Sequence, residues 1–151
     1  MVDPVSTKSS MHNIVSGLSN SSTSNNKTII SGEDNSVNTN RSAGVIGKSH
    51  QVTNSNYSFA GGINNTLNNS NKSVVFGLTN NLSSTEHSIA QGQSHTATNN
   101  QNVAIFGSTN NLNQETSSLA IGNSNDIDFG EDSFYGGKSN TNNVTKQSIV
   151  V

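Results

Sequence analysis

Glycine recurs every 15 residues along this chain, and this period constrains the fold more than any other feature of the sequence. Nine of the 13 glycines occupy consecutive places on one grid without a gap. At a glycine frequency of roughly one residue in twelve, nine consecutive matches do not arise by chance. These glycines define position 0 of each repeat: Gly17, Gly32, Gly47, Gly62, Gly77, Gly92, Gly107, Gly122 and Gly137.

Other columns of the repeat become visible when the glycines are aligned. The residue at position +5 is apolar in the seven middle repeats and polar at both ends, Ser22 and Asn142, as expected of caps. Short apolar runs precede each glycine, and Asn, Ser and Thr fill most places between +6 and +9. Position +3 is Asn or His in every repeat: Asn20, Asn35, His50, Asn65, Asn80, His95, Asn110, Asn125 and Asn140.

A unit of 15 residues with two short strands and two turns has the size of one coil of a β-solenoid, whose coils stack roughly 4.8 Å apart. Short apolar runs and abundant Asn, Ser and Thr disfavour an amphipathic helix. Tight hairpins are disfavoured because no Asn-Gly or Asp-Gly pair occurs. The sequence therefore predicts an all-β protein, a parallel β-solenoid of nine or ten coils over residues 12–151. Residues 1–11 are predicted to be a leader, cap or tag.

The composition supports hydrogen-bonded ladders more than a thick apolar core. The chain has 27 Asn, 27 Ser and 14 Thr among 151 residues, and 28% of its residues are hydrophobic. Seven Lys and Arg against nine Asp and Glu leave no basic cluster, so we expect no nucleic-acid partner. No apolar run approaches the roughly 20 residues that span a bilayer, so we expect no membrane insertion by this segment.

The column at position +3 is predicted to point inward and to form an internal ladder of stacked amides. A polar inward column is costly unless each side chain bonds to a neighbouring coil, which a constant period permits at every level. His50 and His95 share this column and lie three coils apart, roughly 14 Å, which is too far to share one metal ion. We therefore expect them to be ladder members.

The strand before each glycine is apolar on both faces, which is typical of a strand that is buried on both faces. Strand alternation leads us to expect position −3 inside and position −2 outside. An outer apolar column along the whole rod predicts obligate self-association, with a homotrimer as the expected assembly. The predicted self-association ladder is Val15, Ile30, Val45, Ala60, Val75, Ala90, Ile105, Ala120 and Tyr135.

Four segments carry a resemblance to a known family: Ser118–Gly122 (SLAIG), Ser88–Gly92 (SIAQG), Ser73–Gly77 (SVVFG) and Ser58–Gly62 (SFAGG). They resemble the YadA-like head repeat of trimeric autotransporter adhesins, whose strand reads close to Ser-Val-Ala-Ile-Gly, and which phage and viral fibres also use. The resemblance covers residues 12–151. It implies a left-handed β-roll, three chains side by side, and binding to extracellular matrix such as collagen or to a host-cell surface ligand. The expected location is extracellular, on the bacterial outer-membrane surface or on a virion fibre.

The segment Ser31–Val37 (SGEDNSV) resembles a second family, the plant ice-binding β-rolls, which repeat Gly-x-x-Asn-x-Val about twice per coil. That resemblance implies an alternative function, a monomeric ice-binding β-roll with an outward ladder facing ice. In this chain the pattern occurs once per coil, and Gln51, Asp126, Asp128 and Tyr135 are expected to interrupt a flat surface.

One acidic segment, residues 126–132, is a weak calcium candidate. It holds four of the nine acidic residues, and calcium loops require oxygen ligands and a tight turn. Asp126, Asp128 and Asp132 would be the ligands, but the spacing matches a calcium loop only in part, and a solvated acidic turn is the favoured explanation. No Ser, His and acid are spaced so that one would activate another, so we expect no catalysis and no cofactor.

Overall fold

The computed structural model describes residues 6–8, 12–147 and 149–151, which form a parallel β-solenoid of about nine coils. The predicted fold class is confirmed: the described residues contain strands, turns and bends but no helix. Every strand pairs in parallel with the strand one coil away, and each residue lies opposite the residue 15 places along the chain, as Val74 does with Ile89. The period of the sequence is therefore the period of the structure.

Two ten-stranded sheets run along the rod, and successive strands alternate between them. The first sheet consists of strands of mostly five residues: β2 Ile14–Leu18, β4 Ile29–Glu33, β6 Gly44–Lys48, β8 Phe59–Ile63, β10 Val74–Leu78, β12 Ile89–Gln93, β14 Ala104–Ser108, β16 Leu119–Asn123, β18 Phe134–Lys138 and β20 Ile149–Val150. The second consists of strands of mostly three: β1 Ser6–Lys8, β3 Ser21–Thr23, β5 Ser36–Asn38, β7 Gln51–Thr53, β9 Thr66–Asn68, β11 Asn81–Ser83, β13 Thr96–Thr98, β15 Asn111–Asn113, β17 Asp126–Glu131 and β19 Thr141–Lys146.

The N-terminal strand β1 falls within the segment predicted to be a leader, cap or tag. It pairs in parallel with β3, with Ser6 opposite Ser21 in the same 15-residue register. The ladder of the second sheet therefore extends into residues 1–11.

A third, narrower side completes each coil at position +9. Isolated parallel bridges join successive coils there, for example between Glu86 and Gln101. The three sides meet at corners at positions +2, +7 and +10, where the backbone is left-handed. Ser19, Ser24 and Lys27, with φ values of 53°, 54° and 55°, are the corners of one coil. Many corner residues are Asn, Asp or Ser, and Asn and Asp tolerate this conformation better than other non-glycine residues.

The grid glycine is required by close approach between coils. At Gly77, φ is +121°, and a β-carbon would lie 1.9 Å from the carbonyl oxygen of Gly92 in the next coil. No side chain fits in that space. The glycine column therefore allows the coils to stack at hydrogen-bonding distance along the first sheet.

Five columns of side chains fill the interior, at positions −4, −2, +3, +5 and +8. The −2 and +5 columns supply most of the apolar core, exemplified by Val75 and Leu82, which are both completely buried. Polar or small residues dominate the other three columns. The core is thus a narrow apolar stripe between two walls of hydrogen-bonded side chains.

Candidate binding faces and interior ladders

The −2 column lies inside the coils, so the predicted orientation of the first-sheet strands is wrong. Because alternate residues of a strand point to opposite faces, positions −3, −1 and +1 then lie outside. The sequence explains this orientation. The −1 column lies on the same face of the strand as the −3 column, and it includes the polar residues Ser16, Ser31 and Gln91. These side chains stay hydrated only if that face is the outer one. The residues predicted to form the self-association ladder pack in or against the core: Val15, Ile30, Val45, Ala60, Val75, Ala90, Ile105, Ala120 and Tyr135.

An apolar surface nevertheless runs along the outside of the first sheet, in the −3 and −1 columns. We call these two columns the outer apolar face. Ile29, Ile46 and Phe76 are 50%, 51% and 44% exposed, although each is a large hydrophobic residue. The −3 column comprises Ile14, Ile29, Gly44, Phe59, Val74, Ile89, Ala104, Leu119 and Phe134, and the −1 column comprises Ser16, Ser31, Ile46, Gly61, Phe76, Gln91, Phe106, Ile121 and Gly136.

Glycines of the outer apolar face lie beneath phenylalanine rings. A β-carbon at Gly61 would lie 2.8 Å from the ring of Phe76, and one at Gly44 would lie 2.8 Å from the ring of Phe59. The two rings are 5.0 Å apart between centroids. Glycine weakens a strand because it offers no side chain to pack, and a neighbouring aromatic ring compensates. The rings thus lie down on the sheet and smooth the centre of the face.

The +1 column at the margin of this face is mixed: it contains polar and charged residues together with the exposed Leu18, Ile63 and Leu78. Lys48 and Glu33 lie on adjacent coils, with Nζ and Oε2 3.0 Å apart, and both are about half exposed. An exposed pair of this kind contributes about 0–1 kcal/mol to stability. The pair therefore contributes little to the stability of the fold.

The +3 column lies inside and forms hydrogen bonds on three sides. Asn65 is representative: its Oδ1 accepts from the Asn80 N–H at 2.9 Å, and its Nδ2 donates to the Gly61 and Gly77 carbonyls at 2.8 and 2.9 Å. Asn35, Asn80 and Asn110 repeat this bonding to the next amide and to the next glycine carbonyl. Each side chain therefore joins its own coil to the coil that follows.

A second interior amide column, at position +8, was missed by the sequence reasoning. Asn25 Nδ2 donates to the Val37 carbonyl at 2.7 Å, and Asn25 Oδ1 accepts from the Asn40 N–H at 2.8 Å. The column continues with Ser55 and Ser70. Its polar residues hid it within a stretch that resembles a loop. The available signal was the restriction of this column to small residues capable of hydrogen bonding, with two exceptions, at Glu115 and Gly130.

His50 and His95 each take the place of an asparagine in the +3 column. The Asn65 N–H approaches His50 Nδ1 at 3.1 Å, and His50 Nε2 lies 3.2 Å from the Ile46 carbonyl. An N–H requires an acceptor and a carbonyl requires a donor, so the ring is neutral and carries its proton on Nε2. Burial lowers the pKa of both imidazoles. The expectation that they belong to the ladder matches these contacts.

Glu115 interrupts the +8 column with a completely buried carboxyl group. Its Oε1 accepts a hydrogen bond from the Gly130 N–H, and its Oε2 has no hydrogen-bond partner. Gly130 is required beside it, because the carboxylate occupies the space of a β-carbon there. Burial raises the pKa of this carboxyl group.

The acidic segment does not gather its side chains at one point. Asp126 lies on the outside of β17, where its Oδ1 accepts from Asn111 Nδ2 at 2.7 Å, and Asp132 lies at a corner. Across the described ranges, no group of three or more His, Asp or Glu side chains is placed to hold a metal ion. The aromatic residue of this segment, Phe129, is 46% exposed at another corner.

The outside of the second sheet differs from the outer apolar face. Its strands present positions +4 and +6, which throughout β3 to β15 are Ser, Thr, Asn or Gln, as in Thr66 and Asn68 of β9. We call these two columns the polar face. It offers hydroxyl and amide groups repeated at the coil spacing, with no large apolar side chain.

A scan against protein-family models finds none that matches this chain, and a search of curated proteins finds no match. Within the residues that the structure describes, no helix is long and apolar enough to cross a membrane.

Proposed function

We propose that this protein is the head of a surface adhesin or fibre, a non-catalytic homotrimeric rod that binds host matrix or cell-surface ligands. The observation that carries the proposal is the outer apolar face, which stays exposed on the single chain along the whole rod. Largest apolar patches on ordinary monomers cover about 300–600 Å². The outer side of nine five-residue strands has a footprint of roughly 700 Å², which includes polar residues such as Ser16, Ser31 and Gln91 and is close to the 800 Å² that each partner contributes to a standard interface.

The polar face is the proposed ligand surface, since it stays in solvent when the outer apolar face is covered. Its hydroxyl and amide groups repeat at every coil, and three chains would present three such arrays. Repeated weak contacts of this kind gain affinity through avidity. The proposed ligand is an extracellular matrix protein such as collagen or a host-cell surface ligand, and the proposed location is the bacterial outer-membrane surface or a virion fibre.

Light scattering coupled to size exclusion tests the assembly. We expect a mass three times the 15.8 kDa of one chain. Ile46→Lys places a charge on the outer apolar face and should lower the mass, whereas Asn81→Lys on the polar face should not. A stable folded monomer of the unaltered protein would contradict the proposal. Binding of the trimer to immobilised collagen, compared with the Ile46→Lys variant, tests the ligand and the contribution of avidity.

A monomeric ice-binding β-roll is the second candidate, and the regularity of the polar face favours it. From β3 to β15 that face carries hydroxyl and amide groups at a constant spacing without a charged residue. Shaping of ice crystals by a monomer, lost in Thr66→Lys but retained in Ile46→Lys, would support ice binding and remove the adhesin proposal. Tyr135 does not disturb any outer surface, because it is buried.

A further inference from the structure

Each histidine of the +3 column has one N–H donor in its neutral ring, whereas the asparagine amide that fills the rest of the column has two. Asn65 bonds through one acceptor and two donated hydrogen bonds, whereas His50 offers one acceptor, Nδ1, and one donor, Nε2. His95 has the same contacts: the Asn110 N–H lies 3.2 Å from Nδ1, and Nε2 lies 3.1 Å from the Gln91 carbonyl. Each ring also contacts the glycine carbonyl of the next coil, Gly62 or Gly107. In both cases, however, the bond from the backbone N–H of the next coil depends on an unprotonated Nδ1.

Protonation of Nδ1 would replace this bond with a repulsive contact. An imidazolium has two N–H donors and no acceptor, so its Nδ1–H would face the N–H of Asn65 or Asn110. An asparagine Oδ1 at the same place has no such dependence on pH. We propose that His50 and His95 are acid-sensitive joints, at which mild acidification loosens the contact between two successive coils while the other coils stay closed.

The charged groups around the joints do not compensate for a buried imidazolium. Near His50, the charged residues are Glu33, Asp34 and Lys48, which lie on the outer side of the coils, where Glu33 pairs with Lys48. Near His95, positions +1, +2 and +4 of its own coil and of both neighbouring coils are uncharged. The interior titratable group of the adjoining coil is Glu115, which burial keeps from ionising readily. The coils must therefore open to hydrate the protonated ring.

Residue-resolved hydrogen exchange by NMR at pH 7.0, 6.0 and 5.0 tests the proposal within one molecule. The Asn65 and Asn110 amides donate to histidine, whereas the Asn80 and Asn125 amides donate to asparagine Oδ1 at 2.9 and 3.1 Å. When the coils are open, the imidazole has a pKa of about 6.5, so the protection factor of the amide should fall up to tenfold for each pH unit below that value. The fall ends at the lower pH at which the imidazole is also protonated between closed coils. After correction for intrinsic exchange, Asn65 and Asn110 should follow this slope, and Asn80 and Asn125 should change less than twofold.

The variant His50→Asn/His95→Asn restores the residue that fills the rest of the column, and it should remove the pH dependence at Asn65 and Asn110. Equal loss of protection at all four amides of the natural sequence would overturn the proposal, and so would an unchanged pH dependence in the double variant. The comparison within the natural sequence holds even if the variant folds poorly. Both readouts concern the interior of one chain, so they are independent of the proposed trimer.

Discussion

Replacing a grid glycine by alanine should disrupt the solenoid far more in the middle of the rod than at its last coil. In Gly77→Ala the new β-carbon would lie 1.9 Å from the Gly92 carbonyl oxygen. A carbon and an oxygen approach to about 3.3 Å, so the two coils must separate locally by more than 1 Å. In Gly137→Ala, the nearest atom to the new β-carbon is Asn140 Nδ2 at 3.6 Å, and φ is also positive, at +100°.

The two variants share the backbone strain and differ in the clash. The strain costs about 1–3 kcal/mol in either variant. Separating the coils at Gly77 also breaks about three hydrogen bonds, including the one from Asn65 Nδ2 at 2.9 Å, each worth about 1 kcal/mol. Gly77→Ala should therefore lower the free energy of unfolding by about 3 kcal/mol more than Gly137→Ala does.

Urea denaturation followed by circular dichroism, at one fixed protein concentration, measures this difference. The midpoint should fall strongly for Gly77→Ala and moderately for Gly137→Ala. A difference below about 1 kcal/mol, less than the value of the three bonds, would refute the view that contact between backbones fixes the glycine column.

Three further predictions concern single side chains. Asn65→Ala should lower the free energy of unfolding, measured by urea denaturation, by about 3 kcal/mol, because one buried N–H and two carbonyls lose their partner. The control Asn68→Ala, at an exposed residue, should lower it by less than about 0.5 kcal/mol. Glu115→Gln should raise the free energy of unfolding at pH 7 but not at pH 4. The pKa of this buried carboxyl group is raised, so the group destabilises the fold only when the pH rises high enough to favour its ionised form. An equal gain in the free energy of unfolding at both pH values would contradict this. Millimolar calcium should change the melting temperature by less than about 1 °C, because Asp126 and Asp132 do not converge on one point. A larger shift that Asp132→Asn abolishes would indicate a calcium site in this segment.

The coil could be predicted from the sequence because its period appears in two columns that accept few residue types, glycine alone at position 0 and Asn or His at position +3. The glycine column is constrained by the close contact between the backbones of successive coils. The +3 column is constrained by the need for a side chain that accepts one hydrogen bond and donates another. Both constraints act on one residue of every coil. Gly77 and Asn65 are therefore recognisable without any knowledge of the strands around them.

The face of the first-sheet strands could not be assigned from the −3 and −2 columns alone, since both are apolar. Ile29 and Ile30 are equally suited to a core by residue type, yet the first is half exposed and the second is completely buried. The −1 column resolves the choice, because Ser31 lies on the same face as Ile29. The +8 column escaped detection for a related reason: Asn25, which is buried, and Asn26, which is only partly buried, have the same letter in the sequence.

The constant register of the coils also sets the way in which this protein can change in length. A deletion or duplication of 15 residues keeps every glycine, amide and corner opposite its equivalent, and alters the rod by roughly 4.8 Å. A change of 14 or 16 residues would move all the columns out of alignment beyond that point. Changes in length that preserve the register therefore come in whole coils, and the reach of the rod changes in steps of one coil.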